Sequence, residues 1–225
     1  MNDTVLIRAE HIAYRYPGEP PLLENINLQI APGERLGLLG AIGSGKSTLL
    51  HLLVGLLRPD GGTLEVFGKA RRNEKDFVEV RRQAGLLFQE AEDQLFCPTV
   101  EEDVAFGPLN LGCSPAEARE RVRESLGAVG LEGYEHRITH HLSGGEAKLV
   151  ALASVLAMRP RVLLLDEPVS SLDPEATRRI TALLATLPQA MVIVSHDEAF
   201  LEAVATRRVQ LREGTLHANR QAQKR

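Results

Sequence analysis

A glycine-rich loop occupies residues 40–47 and reads Gly40-Ala41-Ile42-Gly43-Ser44-Gly45-Lys46-Ser47. It follows a short apolar run at residues 36–39 and precedes a helical pattern, which is the setting of a phosphate-binding loop. Its glycines allow backbone N–H groups to point at phosphate oxygens, and the following helix adds its positive N-terminal end. The alternative, a glycine-rich turn that binds nothing, does not explain eight matching positions in this context. The stretch therefore predicts a site for nucleotide phosphates.

Two side chains of this loop carry the predicted chemistry. Lys46 is expected to reach the β- and γ-phosphates of ATP, and the Ser47 hydroxyl is expected to ligate Mg²⁺. The predicted nucleotide-binding residues of the loop and its helix are Gly40, Ala41, Ile42, Gly43, Ser44, Gly45, Lys46, Ser47 and Thr48.

Two adjacent carboxylates follow a second apolar run. The runs at residues 36–39, 162–165 and 191–194 are typical of central parallel strands that are covered on both faces. Asp166 and Glu167 come directly after one of them, where buried acids are costly unless they face a cation or water. We expect Asp166 to hold Mg²⁺ and Glu167 to polarise the attacking water. A helix-capping role explains one of these acids but not both.

Polar residues also follow two other predicted strands. His196 comes after the run at 191–194, and Gln89 comes after residues 86–88. Carboxyl ends of strands converge on the ligand crevice of an open α/β sheet. His196 is therefore predicted to donate a hydrogen bond to the γ-phosphate, against the alternative of a core or capping role. A Gln89 amide there would sense Mg²⁺ or the attacking water, although spacing alone leaves Gln89 open.

Helix-start signals concentrate in the middle of the chain. A capping box pairs a Ser or Thr hydroxyl with a Glu three residues later, and the pairs here are Thr99 with Glu102, Ser114 with Glu117, and Ser143 with Glu146. Asp173-Pro174 predicts a further helix start, and the alternation over residues 25–30 predicts a strand with one buried face. We expect one domain over residues 1–225, with a nucleotide-binding core at 1–89 and 159–216, a helical subdomain at about 90–158, and a polar tail at 217–225.

The overall composition argues against several classes of protein. The 225 residues include 26 Lys+Arg and 30 Asp+Glu, and the formal charge of −4 gives no global attraction to nucleic acid. Cys97 and Cys113 are too few for a disulfide framework. The most apolar stretch, residues 47–57, is shorter than the ~18 residues of a spanning helix, and the first residues lack an export signal. We therefore expect a cytosolic chain that does not itself cross a membrane.

The segment Leu142-Ser143-Gly144-Gly145-Glu146 resembles the signature motif of ABC (ATP-binding cassette) ATPases. This resemblance implies an α/β P-loop NTPase fold: an ABC ATPase core with a mostly parallel sheet, an antiparallel β subdomain and an inserted α-helical subdomain. It also implies four roles, which are an adenine-stacking aromatic at Tyr16, a lid-coupling glutamine at Gln89, a dimer-contact loop at Ser171-Leu172-Asp173, and a switch histidine at His196.

In that family two cassettes pair head to tail, so the signature of one subunit closes over the ATP held by the other. The resemblance thus implies that Ser143, Gly144, Gly145 and Glu146 contact the ATP of a second, plausibly identical subunit. The physics agrees, because a helix N-terminus with bare glycine amides is a γ-phosphate receptor. A merely well-capped helix explains Ser143 and Glu146 but not two successive glycines, which are unfavourable in a helix.

Residues 88–96 and 98–112 resemble more specifically the ATPase component of energy-coupling-factor importers, especially those for cobalt or nickel. This implies a transmembrane coupling protein and a substrate-binding membrane component as partners, and a position on the cytoplasmic face of the membrane. The short stretch after the last predicted strands favours the cobalt or nickel branch over vitamin-type importers. The segment from Glu90 to Phe106 is expected to line a docking groove, with Leu95 and Phe96 as exposed apolar residues or, alternatively, as core.

The chain departs from the family pattern at a few positions. Ala41 and Ile42 replace the common Pro-Asn, Glu146 replaces the more frequent Gln, and Leu149 replaces a basic residue. None of these indicates an inactive enzyme. The alternatives left open are a soluble ABC ATPase acting on DNA, ribosomes or iron-sulfur assembly, and a P-loop kinase, although the chain lacks coiled-coil insertions and a second cassette.

Overall fold

The computed structural model of the chain describes residues 5–218, which form two β-sheets and seven α-helices. A six-stranded sheet has the order β10-β9-β3-β8-β7-β6. Its strands are β3 (Arg35–Gly40), β6 (Ala84–Leu87), β7 (Val162–Asp166), β8 (Ala190–Val194), β9 (Arg207–Arg212) and β10 (Thr215–Ala218). All neighbouring pairs are parallel except β9 with β10. Every residue of β7 and β8 is buried, which confirms the central strands that the apolar runs predicted.

A second sheet is antiparallel and has the order β2-β1-β4-β5. Its strands are β1 (Ile7–Tyr14), β2 (Leu23–Ile30), β4 (Gly61–Val66) and β5 (Lys69–Ala70). In β2 the residues Ile26, Leu28 and Ile30 are buried and the residues between them are exposed. This confirms the predicted half-buried strand, which begins two residues earlier than the alternation indicated.

The helices are α1 (Lys46–Leu53), α2 (Glu74–Arg81), α3 (Val100–Asn110), α4 (Pro115–Val129), α5 (Gly144–Ala157), α6 (Pro174–Thr186) and α7 (Glu198–Val204). The capping boxes predicted at Thr99, Ser114 and Ser143 are all formed. A fourth box, Asn73 with Asp76, begins α2. This box does not match the pattern of Ser or Thr followed by Glu, because Asn and Asp take those positions, although their oxygens accept the same backbone hydrogen bonds.

Three of the helices, α3, α4 and α5, pack against one another and follow β6 in the chain. These helices do not form a hydrophobic core of their own. Buried residues of α5 share one hydrophobic cluster with Leu87 of β6 and with Leu163 and Leu165 of β7. The opposite face of the sheet packs with α1 and the antiparallel sheet in a second cluster. Helix α5 is therefore anchored directly on the sheet whose strand ends carry the site residues.

The end of the last strand lies later than the sequence indicated. His217 and Ala218 pair with Gln210 and Val209 and so belong to the β9–β10 hairpin rather than to the predicted tail. The rest of that tail, residues 219–225, lies outside the described residues. Within residues 5–218, the helices lack the combination of length and apolar character that a membrane crossing requires.

Candidate functional site

A cleft of about 580 Å³ opens at the carboxyl ends of the parallel strands. Strands β3, β8, β7 and β6 run in the same direction, so the residues that follow them meet at one edge of the sheet. The predicted site residues that line the cleft are Tyr16, Ile42, Gly43, Gly45, Lys46, Ser47, Thr48, Gln89, Asp166, Glu167 and His196. Gly40, Ala41 and Ser44 belong to the same loop without lining the cleft. Residues that are distant in sequence are therefore assembled around one cavity.

The loop between β3 and α1 depends on glycine at position 45. Gly45 has a φ of 99°, in the left-handed region, and immediately precedes the first residue of α1. A Cβ at this position would lie 2.9 Å from Cδ2 of Leu23. A side chain is therefore excluded both by the backbone conformation and by the antiparallel sheet behind the loop.

Lys46 is buried, and its ammonium group lies over the loop. Nζ donates hydrogen bonds to the carbonyl oxygens of Gly40 at 2.9 Å and Ala41 at 2.8 Å. Burial lowers the pKa of Lys46, while the charges of Glu167 and Asp166 oppose that shift. The loop thus presents a cation close to two carboxylates at the bottom of the cleft.

Asp166, at the end of β7, is only 3% exposed. Burial raises the pKa of its carboxyl group, and a hydrogen bond with the Ser47 side chain lowers it. Its Oδ1 has no hydrogen-bond partner among the residues that the structure describes. A buried carboxylate oxygen without a partner is costly. Together with the Ser47 hydroxyl it forms a pair of hard oxygen donors of the kind that Mg²⁺ prefers.

Glu167 has a left-handed backbone conformation, with a φ of 49°. Its N–H donates to the carbonyl oxygen of Val194 at 2.9 Å, which fixes the turn against β8. Its Oε2 accepts hydrogen bonds from the Ser195 hydroxyl and from the His196 N–H, both at 3.3 Å. Its Oε1 lies 3.4 Å from Nε2 of His196 without hydrogen-bond geometry. One oxygen is therefore held by the two residues that follow β8, and the other is left for a ligand of the cleft.

The remaining residues of the cleft lie around its rim. Gln89 is exposed just after β6. The Tyr16 hydroxyl is 3.1 Å from Oγ1 of Thr48, and its ring packs edge-on against Tyr14 with centroids 5.1 Å apart. These contacts hold an aromatic ring, 40% exposed, beside the start of α1.

The signature residues do not line this cleft. Ser143 and Glu146 form the capping box of α5, and Oε1 of Glu146 also accepts hydrogen bonds from Tyr134 at 2.7 Å and Arg137 at 3.1 Å. Gly145 lies against the predicted dimer-contact loop, since a Cβ there would be 3.2 Å from the Ser171 carbonyl oxygen. Asp173 of that loop caps α6, and these backbone hydrogen bonds lower the pKa of its carboxyl group.

Two residues that sequence reasoning missed contact the site. Ser195 is buried and donates to Glu167, but nothing in its sequence context distinguishes it from any serine after a strand. Lys148 is buried in α5 and donates to the backbone carbonyls of Phe88 and Gln89. A signal for Lys148 was present, because it is the only formally charged residue between positions 147 and 158.

Comparison with known proteins gives a consistent result. The family model described as "ABC transporter" matches residues 23–170. A provisionally named ABC transporter ATP-binding protein of Nitratidesulfovibrio vulgaris is 51% identical over 92% of this chain and 77% of its own length. The cobalt import ATP-binding protein CbiO of Rhodobacter capsulatus is 45% identical over 96% of this chain and 78% of its own length.

Solved structures agree with the sequence relatives. CbiO1 of Clostridium perfringens, part of the ABC transporter complex CbiONQ, superposes with a TM-score of 0.83 at 33% identity, covering 95% of this chain and 87% of the other. A dimeric bacterial ABC transporter cassette superposes with a TM-score of 0.88 at 28% identity, covering 94% of this chain and 96% of the other. The phosphate loop, the carboxylates and these likenesses together place the chain in the ABC transporter family, as an ATP-hydrolysing subunit.

Proposed function

We propose that this chain binds Mg·ATP in the 580 Å³ cleft and, paired with a second copy of itself, hydrolyses it to power import of cobalt or nickel ions through an energy-coupling-factor type complex. One observation carries the proposal. Lys46, the unpartnered oxygen of Asp166 and the half-held carboxylate of Glu167 meet in one cavity behind a phosphate-binding loop. This is the arrangement that attack of water on a terminal phosphate needs.

The donor set fits Mg²⁺. Ser47 and Asp166 supply a hydroxyl and a carboxylate oxygen that are already adjacent, and Gln89 lines the same cleft with an amide oxygen. These three residues would hold the ion. When bound, it would neutralise charge on the β- and γ-phosphate oxygens.

The protein's own groups then have separate tasks. Lys46 binds the phosphates, and Tyr16 offers its exposed ring face to the base. Glu167 uses Oε1 to accept a proton from the attacking water, since Oε2 is held by Ser195. His196, whose Nε2 lies 3.4 Å from Oε1 of Glu167, donates a hydrogen bond to the γ-phosphate.

The position of the signature supports a dimer. Ser143, Gly144 and Gly145 lie outside the cleft, at the tip of α5, where Ser143 and Gly144 are exposed and Gly145 is half-buried. A helix tip with free glycine amides attracts anions. A second copy in head-to-tail contact would bring its tip over this cleft, with the loop of Asp173 at the same interface. The likeness to a dimeric cassette supports this pairing.

A second cleft, of about 250 Å³, is the proposed docking groove for a transmembrane coupling protein. It is lined by Phe88, Phe96, Phe106 and Met158 with Arg81 and Asp103 among them. Phe96 is 63% exposed, whereas Leu95 is half-buried and packs on the core. Of the two residues, Phe96 therefore suits contact with a partner helix. Through that protein and a substrate-binding component the subunit would lie on the cytoplasmic face of the membrane, without nucleic acid as a partner.

The metal assignment rests on resemblance in sequence and on the relative of Rhodobacter capsulatus that is named for cobalt import. Nothing in the cleft contacts the cargo, so a vitamin-type importer of the same class is the second candidate. Both use the same ATPase geometry, and transport measurements separate them.

The test uses the chain assembled with its membrane components in vesicles. We expect ATP to drive uptake of radioactive Co²⁺ or Ni²⁺, and Glu167→Gln to retain ATP binding while turnover falls by about 10² or more, the range of general-base catalysis. Phe96→Ser should reduce uptake while the ATPase rate of the isolated subunit persists. Uptake of riboflavin or another vitamin instead of metal would exclude the metal assignment. Full turnover by Glu167→Gln would exclude the catalytic one.

A further inference from the structure

Lys148 is a buried lysine that the proposed hydrolysis does not use. It is the fifth residue of α5 and is 3% exposed. Its ammonium group donates hydrogen bonds to the backbone carbonyls of Phe88, at 3.3 Å, and of Gln89. Burying an ammonium group is costly unless strong acceptors compensate for lost water. Both of its acceptors belong to the short segment that carries Gln89 into the ATP cleft.

A second side chain fastens the same segment to α5. Oε1 of Gln94 accepts a hydrogen bond from the Phe88 N–H at 3.0 Å. Its Nε2 donates to the Ala151 carbonyl at 3.1 Å and to the Ser154 hydroxyl at 3.3 Å, both on α5. Both backbone groups of Phe88 are therefore tied, directly or through Gln94, to one helix. Toward α1 the segment makes only an aromatic contact, between the rings of Phe88 and His51 with centroids 5.8 Å apart, and no hydrogen bond among residues 5–218.

The first turn of α5 carries the signature. Residues Ser143 to Glu146 cap its start, and Lys148 follows within the next turn. A rigid helix transmits a displacement of its first turn to its second. A movement of the signature toward the ATP of a partner subunit would therefore shift the two carbonyls that Lys148 binds, and with them the Gln89 side chain.

We propose that Lys148 is a positioning residue, which makes Gln89 follow the signature helix so that Gln89 enters the reacting geometry only when α5 is correctly placed. The inference depends on the role proposed above for Gln89. It extends that role by identifying Lys148 as the link between Gln89 and α5. Phe88 and Gln94 also line the docking groove, so the same link reaches that groove. The groove, Gln89 and the signature then move as one unit.

The charge environment fits a link near the reaction centre. Burial lowers the pKa of Lys148, and the carboxylates of Glu90, Asp166 and Glu167 raise it again. The lysine is thus close enough to the catalytic carboxylates to interact with them electrostatically. It does not line the cleft and therefore acts through Gln89 rather than on the substrate.

A double-mutant cycle on ATP turnover tests the link. Lys148→Met keeps the length and apolar stem of the side chain but removes the donors. We expect kcat to fall about tenfold with little change in KM for ATP, because misplacement of a positioning group by a fraction of an ångström has effects of this size or larger. In a Gln89→Ala background the same substitution should lower kcat by less than about twofold, since residues that act as one unit are not additive.

Each arm has a distinct interpretation. An equal loss from Lys148→Met in both backgrounds, or no loss in either, overturns the inference. If Gln89→Ala alone leaves kcat unchanged, the proposed role of Gln89 fails and the link fails with it. If Gln89→Ala lowers kcat but Lys148→Met does not, only the link fails. Lys75→Met, at an exposed position on α2, is the matched control and should leave kcat unchanged.

Folding is checked by thermal unfolding of every variant. If Lys148→Met lacks a cooperative transition, the cycle is repeated with Lys148→Gln, whose shorter side chain keeps two N–H donors. That variant should show a smaller loss of kcat that also disappears in the Gln89→Ala background. Persistence of its loss in that background overturns the inference.

Discussion

The two oxygens of the Glu167 carboxylate have different surroundings, and this difference would orient the general base that we propose. Ser195 and the His196 N–H hold Oε2, whereas Oε1 has no hydrogen-bond partner among the described residues. The left-handed backbone of Glu167 is hydrogen-bonded to the last residue of β8, and the two donors are the residues that follow that strand. A carboxylate that could rotate freely would spend less time aimed at water. We therefore expect Ser195 to contribute to catalysis by restricting Glu167.

Ser195→Ala removes the hydroxyl that holds Oε2 and so tests whether it orients Glu167. A hydrogen bond of this kind is worth about 1 kcal/mol, which corresponds to a roughly fivefold fall in kcat. KM for ATP should stay within about twofold, since Ser195 does not line the cleft. Steady-state phosphate release measures both constants.

Ser125→Ala is the control for this experiment, because Ser125 is a similarly buried serine on α4, away from the cleft. It should leave kcat unchanged. A rise in KM with an unchanged kcat for Ser195→Ala would show that the hydroxyl supports binding rather than the orientation of Glu167.

At the scale of the element, the first turn of α5 contains Glu146, whose carboxylate accepts hydrogen bonds through both oxygens. Oε2 of Glu146 accepts from the N–H of Ser143 at 2.8 Å, and Oε1 accepts from Tyr134 and Arg137. The pKa of Glu146 is lowered from its ordinary value of 4.5. The largest cause is the hydrogen bond from the Ser143 backbone, and those from the Tyr134 and Ser143 side chains follow. The charged form therefore stabilises the helix tip that carries the signature.

Glu146→Gln should lower the free energy of unfolding by about 1 kcal/mol at pH 7, the size of a capping interaction. A carboxyl group whose folded pKa is depressed gives stability that is present above the unfolded pKa. This stability is lost as pH falls through the folded pKa. The difference between the two proteins should therefore shrink below about pH 4.5. Urea unfolding across this range measures it, and a difference that is constant with pH would contradict the charge-based explanation.

How far the sequence predicts these elements depends on the distance between interacting residues. The capping boxes at Thr99, Ser114 and Ser143 were predictable because both partners lie within four residues. Contacts across the fold were not, since Tyr134 is 12 residues from Glu146, Ser195 is 28 from Glu167, and Lys148 is 59 from Gln89. Leu95 and Phe96 show the same limit. They are adjacent and both apolar, but only the packing of α3 and α5 determines which one is exposed.

At the scale of the whole molecule, strand direction explains why so much of the cleft was predictable. Parallel strands place everything that follows β3, β6, β7 and β8 at one edge, so short motifs that are separated in sequence assemble without detailed knowledge of packing. The signature is different. It begins α5, away from these strand ends, and in the proposed head-to-tail dimer its relation to the cleft depends on a second copy of the chain.

Mixing two inactive variants tests this division of the site between subunits. Lys46→Ala removes the phosphate-binding ammonium from a subunit's own cleft, and Ser143→Arg blocks the helix tip that the subunit offers to its partner. In a head-to-tail mixed dimer both defects fall in one site, and the other site has an intact loop and an intact signature. Half of randomly mixed dimers are mixed and each has one intact site, so ATP turnover should recover to roughly a quarter of wild type at most.

Each variant alone should be nearly inactive, and Ser143→Arg should still bind ATP because its own loop is unchanged. Phosphate release measured over a range of mixing ratios should peak near equal amounts, since that ratio maximises the number of mixed dimers. If both motifs of one site belonged to the same chain, every mixed dimer would contain only defective sites. Turnover would then stay at the level of the separate variants at every ratio, and the head-to-tail dimer would be excluded.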